Sequence, residues 1–190
     1  MTRTIVEAAN EIIDDEFMEK IDGGYLVIKE QNNNSNGANC RQVKISMSGK
    51  RFCFSLDKKR RKKDGFRVFP FFNPSKEGIS KANDMIVFYE TIDKLVVLLI
   101  ELKSKNLGDA DKQLKSAKNF VDYFLNTIRL HYGLFRMPEY RGVVFKTGRI
   151  ATRKGTTKKG FVYDKKDSML YIELACNEDY KLAQFVESIA

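Results

Sequence analysis

The sequence predicts an α/β fold, in which a single domain over residues 1–190 has a central mixed β-sheet flanked by helices. Three observations support this prediction. The chain has 190 residues, 43% of them hydrophobic, which is enough for one domain with its own core. The six consecutive apolar residues at 95–100 are typical of a buried strand. Along the chain the patterns read helix, strands, helix, strands, with no internal repeat and no linker that would divide it.

Three segments have helical patterns. Residues 4–21 begin with a capping box, Thr4 and Glu7, and carry apolar residues at helical spacing. Residues 109–131 form a long amphipathic helix, and 178–189 a short one.

The strand patterns are apolar, aromatic or β-branched runs bounded by turn residues. The runs 41–47 and 51–56 flank Ser48-Gly49-Lys50 and predict a hairpin. The aromatic run 66–72 favours a core strand over a surface that stacks bases. A polar loop, 31–39, is unable to pack a core. In chain order, the strand patterns lie at 24–30, 41–47, 51–56, 66–72, 84–90, 95–103, 141–148, 161–164 and 169–175.

Charge and cysteine content indicate the class of binding partner and the redox state of the compartment. The chain has 34 Lys and Arg against 25 Asp and Glu, a formal charge of +9, which favours nucleic acid as partner. Cys40, Cys53 and Cys176 are too few and too scattered for a disulfide framework, and an odd number fits a reducing compartment. No signal-peptide pattern opens the sequence and no apolar run approaches a membrane span. We therefore expect a cytoplasmic protein with no membrane partner.

Several chemistries are disfavoured. The only histidine, His131, ends a helix, where the helix dipole favours a cation, and nothing else points to a nucleophile–histidine mechanism. The cysteines lack the CxxC spacing of zinc sites, and no GxxxxGK[ST] loop indicates an NTPase.

The runs 84–90 and 95–103 predict a hairpin that brings charged residues together. With its turn centred between residues 92 and 93, paired residues have numbers that sum to 185, so Asp84 faces Glu101. Lys103 shares the face of Glu101 because side chains alternate along a strand. Two carboxylates with Cβ atoms roughly 5 Å apart tend to share a proton unless a cation neutralises them. We therefore expect a hard divalent cation, Mg²⁺ or Mn²⁺, as cofactor.

The pattern Asp84-x16-Glu101-Leu102-Lys103 resembles the motif of the PD-(D/E)XK, or restriction-endonuclease-like, nuclease superfamily. The element order over residues 4–147 also resembles that family's α-β-β-β-α-β core, here with extra hairpins. The resemblance implies that Asp84 and Glu101 bind Mg²⁺ and that Lys103 orients or activates the attacking water. Residue 83 is Asn where the family name expects Pro.

Two further residues are site candidates through this resemblance. Gln113 lies in the first turn of the long helix, where several nuclease subfamilies place a polar active-site residue. Glu16 lies on the apolar face of the predicted first helix, and such a glutamate completes the metal site in some of these nucleases. Glu19, on the same side, is a weaker alternative. Without a site role, Gln113 is a helix-edge residue and Glu16 belongs to a frayed helix end.

Two groups of basic residues are predicted to bind the phosphates of nucleic acid independently of its sequence. The alternatives are solvated loops and, for the first group, a nuclear localisation signal. The first group is Lys58, Lys59, Arg60, Arg61, Lys62 and Lys63, and the second is Lys146, Arg149, Arg153, Lys154, Lys158 and Lys159.

The sequence thus predicts a Mg²⁺-dependent nuclease that hydrolyses phosphodiester bonds, with DNA as the expected partner. One alternative is a non-catalytic nucleic-acid-binding module of the same fold. Another is a protein-interaction subunit of a larger complex, whose basic loops contact an acidic protein. Without a site role, Glu101 and Lys103 would form an exposed ion pair on one face at a strand end.

Overall fold

The structure is a computed structural model that describes residues 3–29, 40–56, 71–73, 75–76, 79, 82–103, 107–147, 164–166 and 169–187. The helices in these ranges are α1 (Ile5–Ile12), α2 (Ala110–Tyr132) and α3 (Leu182–Val186). The strands are β1 (Tyr25–Lys29), β2 (Gln42–Ser46), β3 (Lys50–Phe54), β4 (Met85–Glu90), β5 (Leu95–Lys103), β6 (Pro138–Lys146), β7 (Asp164–Lys166), β8 (Met169–Ala175) and β9 (Asp179–Lys181). None of these helices is both long enough and apolar enough to cross a bilayer.

The central sheet has six strands in the order β3-β4-β5-β6-β8-β7. Strand β4 is antiparallel to both of its neighbours, β3 and β5. Strands β5, β6 and β8 are parallel, and β7 is antiparallel to β8. Helix α2 connects β5 to β6, as parallel neighbours require a crossover. The predicted α/β fold with a mixed sheet is confirmed.

Two apolar clusters lie on opposite faces of this sheet. Along β5, odd-numbered residues from Leu95 to Leu99 belong to one cluster, and even-numbered residues from Val96 to Ile100 belong to the other. Helices α1 and α2 pack on the first face. A three-stranded sheet, β1-β2-β9, and helix α3 cover the second. Flanking helices are thus confirmed on the first face, whereas the second is covered mainly by a small sheet.

The predicted hairpin of 41–47 with 51–56 is wrong, although both strands exist. Strand β2 pairs with β1 and β9, whereas β3 pairs with β4 in the central sheet. The physical reason is burial. Strand β2 buries alternate residues and suits a layer with one exposed face, but β3 buries Phe52, Cys53 and Phe54 in succession, as a strand covered on both faces does.

The first helix is shorter than the predicted 4–21. Its capping box forms as predicted, but it ends at Ile12. The next residues pair with the outer edge of β3, where the Ser55 N–H donates to the Phe17 carbonyl at 2.9 Å. Edge strands leave backbone groups unpaired, and bonding to them competes with further helix. Glu16 consequently lies in an exposed turn and not on a buried helical face.

A disulfide joins Cys40, just before β2, to Cys176, just after β8, across 136 sequence positions. This bond corrects the inference drawn from the number and spacing of the cysteines. The fold brings the two segments together, because Asn177 Oδ1 accepts the backbone N–H groups of Arg41 and Gln42 at 3.1 and 3.3 Å. The cysteine argument for a reducing compartment therefore does not hold.

Two other predictions need correction. Within the described part of the predicted helix 178–189, residues 178–187, only α3 is helical, because β9 pairs with β2 and places the Tyr180 ring 5.1 Å from that of Phe145. Phe71 and Phe72, at the end of the run 66–72, are exposed in a turn, so the core prediction is wrong for these two. The segments 31–39, 66–70 and 161–163 lie outside the described residues.

Candidate active site

The predicted pairing of the β4–β5 hairpin is confirmed. Met85 pairs with Ile100, and every pair along the hairpin has numbers that sum to 185. Asp84 immediately precedes β4, so it continues this register next to Glu101. Lys103 is the last residue of β5 and shares the face of Glu101. The end of the hairpin therefore gathers two acids and a lysine.

Hydrogen bonds to the backbone hold Asp84 in place. Its Oδ2 accepts the Leu102 N–H at 2.6 Å. The preceding residue, Asn83, is fully buried, and its Nδ2 donates to the carbonyls of Met85 at 2.6 Å and Ile100 at 3.3 Å. Asn83 thus ties the start of β4 to β5, a role that the sequence analysis missed. The signal was a polar residue in the position before the motif aspartate.

Glu101 has a buried carboxyl group of which one oxygen contacts another side chain. The residue is 2% exposed, and its Oε1 lies 2.6 Å from Lys103 Nζ. Its Oε2 has no hydrogen-bond partner among the described residues. Burial, followed by the negative charge of Asp84, raises the pKa of Glu101 to about 8, although Lys103 acts in the opposite direction. In the absence of a metal cation, burial therefore favours the protonated form of this carboxyl.

Lys103 is held between strand and helix. Its Nζ donates to Gln113 Oε1 at 2.6 Å, in addition to its ion pair with Glu101. The Gln113 Nε2 in turn donates to the Ala82 carbonyl at 3.2 Å, which fixes the orientation of the amide. The structure thus places Gln113 beside the other candidates, in the first turn of α2.

A second polar cluster lies beside the first on the same face of the sheet. Lys146, at the end of β6, pairs in register with Lys103. The Lys146 amine forms an ion pair with Glu173 of β8, and the Tyr171 hydroxyl donates to Glu173 Oε1 at 3.1 Å. Lys146 belongs to the second predicted basic group, whereas Glu173 and Tyr171 were not predicted as site residues. Glu173 is the sole charged residue in the strand pattern 169–175, which was an available signal.

Of the remaining predicted residues, only Glu16 and Glu19 lie in the part of the chain that the structure describes. Glu16 is in the turn after α1, so the helical-face argument for it is lost. Glu19 follows in the segment that pairs with β3, where its N–H donates to the Cys53 carbonyl at 3.0 Å. The other predicted cations, namely Lys58, Lys59, Arg60, Arg61, Lys62, Lys63, Arg149, Arg153, Lys154, Lys158 and Lys159, lie outside the described residues.

The oxygen donors of the site suit a hard divalent cation. Asp84 and Glu101 are carboxylates, and the buried Oε2 of Glu101 is the atom whose environment fits such an ion. No three Asp, Glu, His or Cys side chains among the described residues cluster closely enough to hold a metal. Mg²⁺ is commonly bound through one or two carboxylates, with waters and substrate phosphates as its other ligands. No protein-family model, curated protein or solved structure matches the chain.

Proposed function

We propose that this protein is a metal-dependent nuclease of the PD-(D/E)XK type that hydrolyses phosphodiester bonds, with DNA as its substrate. The observation that carries the proposal is the end of the β4–β5 hairpin, where Asp84, Glu101 and Lys103 come together. Buried polar atoms in proteins are almost always hydrogen-bonded. Glu101 Oε2 has no such partner among the described residues, which is what a ligand-binding oxygen requires.

The element order supports the same class of enzyme. Helix α1, the antiparallel strands β3, β4 and β5, the crossover helix α2 and the parallel strand β6 follow the α-β-β-β-α-β order of the restriction-endonuclease-like core. Asp84 and the Glu101-Leu102-Lys103 sequence lie within the β4–β5 part of that order. Two departures are the strands β1 and β2 inserted after α1, and Asn83 in place of proline.

The two carboxylates and the lysine have separate roles in this proposal. Asp84 and Glu101 would hold Mg²⁺ or Mn²⁺, which when bound polarises the scissile phosphate and lowers the pKa of a water. Lys103 Nζ, held by Glu101 and Gln113, would direct its third N–H group at the attacking water or at the negative charge that develops on the phosphate. Gln113 is a positioning residue, because it acts through Lys103.

The charge of the chain supports a polyanionic substrate. The formal charge of +9 raises the local concentration of nucleic acid around the protein. Contacts between lysine or arginine and phosphates release counterions, so binding to DNA should weaken steeply with salt. The runs at 58–63 and 149–159 contribute much of this charge.

A cleavage assay tests the proposal. Plasmid and linear DNA are incubated with the purified protein in Mg²⁺, in Mn²⁺ and in EDTA, using wild type, Asp84→Asn and Asp93→Asn. Asp93 is a matched control, because it is an exposed aspartate at the turn of the same hairpin. We expect cleavage with either metal, none in EDTA, and loss of cleavage in Asp84→Asn alone.

Each other result has a defined meaning. Cleavage that persists in Asp84→Asn contradicts the proposed site. DNA binding without cleavage in either metal supports the non-catalytic binding module. Absence of salt-dependent DNA binding supports the protein-interaction subunit.

A further inference from the structure

A second lysine stands directly beside Lys103 at the edge of the site. Lys103 and Lys146 are register partners on the parallel strands β5 and β6, so their side chains leave the same face of the sheet. Neighbouring strands lie about 4.8 Å apart, so the two lysines start from adjacent positions. In open α/β sheets, ligands bind outside the carboxyl ends of the strands, which is where both residues lie.

Each of these lysines is held by a glutamate of its own. Lys103 pairs with Glu101, two residues earlier on the same strand, whereas Lys146 pairs with Glu173 on the next strand. The side chain of Lys146 is only 16% exposed, so it is ordered by this contact and does not extend into solvent. Tyr171 donates its hydroxyl to Glu173 and so fixes the carboxylate that holds the lysine.

Glu173 is better explained as a positioning residue than as a further metal ligand. Among the described residues, no three acidic, His or Cys side chains are close enough to share an ion. Its two observed partners are a lysine and a tyrosine hydroxyl. Each lysine ammonium has three N–H donors and its glutamate takes up only one, so both lysines can also donate to a phosphate that lies between them.

We propose that Lys146 binds a backbone phosphate adjacent to the scissile one, and that Glu173 and Tyr171 hold Lys146 in position for it. This inference rests on the proposed nuclease function and names a contact on the substrate that the motif does not include. Lys146 contributes to binding of DNA of any sequence, whereas Lys103 contributes to the chemical step.

The first test is binding of a short DNA duplex in EDTA, measured by fluorescence anisotropy over a range of salt concentrations. Lys146→Met should weaken binding roughly tenfold, as loss of a charged hydrogen bond does, and should reduce the salt slope by about 0.9. Lys146→Arg should restore the slope because it keeps the cation. Glu173→Gln keeps an oxygen that can hold Lys146 but removes the negative charge that competes with the phosphate, so it should tighten binding by roughly two- to fivefold, the range of one partly exposed ion pair.

Lys118→Met is the matched control. Lys118 is also a partly buried lysine that forms an ion pair. Its side chain is 21% exposed, and its Nζ lies 2.7 Å from Asp122 Oδ2. It packs over the Tyr140 ring, six residues from Lys146 along β6, and so lies away from the site. This variant should bind DNA as wild type does, and thermal melting of every variant confirms that it is folded.

The second test is steady-state cleavage in Mg²⁺. Lys146→Met should raise KM while kcat stays within about threefold, because the contact is made in both the ground state and the transition state. A Lys146→Met variant with wild-type salt slope and KM overturns the inference, even where wild type cleaves DNA. A weakened metal affinity in Glu173→Gln overturns the positioning role of Glu173.

These results separate the inference from the function on which it rests. A protein that binds DNA through Lys146 but cleaves none with any divalent metal refutes the nuclease and leaves the phosphate contact intact. If wild type cleaves DNA and Lys146→Met binds and cleaves it equally well, the nuclease is supported and the phosphate contact is refuted. Absence of DNA binding by wild type refutes both.

Discussion

The two ends of the β4–β5 hairpin each bury a glutamate, but the two carboxyls have different surroundings. At the turn end, Glu90 Oε2 accepts the Val6 N–H at 2.9 Å, and its Oε1 lies 3.8 Å from Arg136 Nη1. At the other end, Glu101 gives one oxygen to Lys103 and leaves Oε2 without a hydrogen-bond partner among the described residues. Both residues are less than a tenth exposed.

The difference indicates that Glu90 has a structural role, whereas Glu101 is held in a site where its carboxyl can bind a ligand. Glu90 accepts a hydrogen bond at the start of α1, where the helix dipole favours a negative charge. Glu101 is placed against another carboxylate, Asp84, in a site where burial opposes its ionisation. The first arrangement stabilises the protein as it stands, whereas the second becomes favourable when a cation arrives.

The largest expected effect is on turnover, and it is confined to the lysine at the site end of the β4–β5 hairpin. Lys103→Met should lower kcat by about 100- to 1,000-fold, the loss typical for one donor to a developing negative charge. Its metal affinity should stay nearly intact or rise slightly, because a positive charge beside the ion is removed. Cleavage assays and calorimetric metal titration give the two readouts.

Lys94→Met is the control for this prediction. Lys94 lies at the turn end and donates to the Val186 carbonyl at 2.7 Å, so its loss should reduce stability and leave turnover unchanged. Full activity in Lys103→Met would reject the proposed role of the lysine.

A second effect is on stability, where the two glutamates should respond with opposite signs. The pKa of Glu101 is about 8 in the folded protein against an ordinary value of 4.5. Between these values the folded state holds a proton that the unfolded chain has released. Stability of the metal-free protein therefore falls as pH rises through this window and levels off above it.

Glu101→Gln should remove most of this pH dependence and stabilise the metal-free protein at pH 8.5 by a few kcal/mol, since each pKa unit corresponds to about 1.4 kcal/mol. Glu90→Gln should instead destabilise by about 0.5–1 kcal/mol, through loss of charge at the helix start. Denaturant unfolding in EDTA at pH 5 and pH 8.5 measures both. Parallel pH profiles for Glu101→Gln and wild type would contradict the burial argument.

The smallest expected effect is at Gln113. Gln113→Leu removes the acceptor that aligns Lys103, so kcat should fall by roughly 10- to 100-fold, as for residues that orient a catalytic group. KM and metal affinity should change little. Gln113→Glu keeps an acceptor and should recover part of the rate, which a merely structural role would not predict.

The hairpin was predictable from sequence because its parts are neighbours along the chain. A four-residue turn sets the pairing, and alternation then puts Glu101 and Lys103 on one face, as the structure confirms for the register. Gln113 was within reach of the same reasoning, since it lies ten positions after Lys103, in the first turn of α2.

Other features depend on pairings that sequence spacing does not encode. Lys146 and Glu173 meet only because β6 and β8 are parallel neighbours, and the register of such strands is not set by a turn. The Cys40–Cys176 disulfide and the pairing of β2 with β9 are likewise long-range. Glu16 was misplaced because edge pairing with β3 ended α1 early.

Metal titration of the two glutamate variants shows whether the buried carboxyl of Glu101 holds the cation. Mg²⁺ and Mn²⁺ are titrated calorimetrically into wild type, Glu101→Gln and Glu90→Gln, each checked for folding by thermal melting. We expect Glu90→Gln to bind metal as wild type does, and Glu101→Gln to lose measurable binding because a ligand oxygen is gone. Equal metal affinity in Glu101→Gln and wild type would contradict the assignment of the buried Oε2 as a metal ligand, and with it the nuclease site.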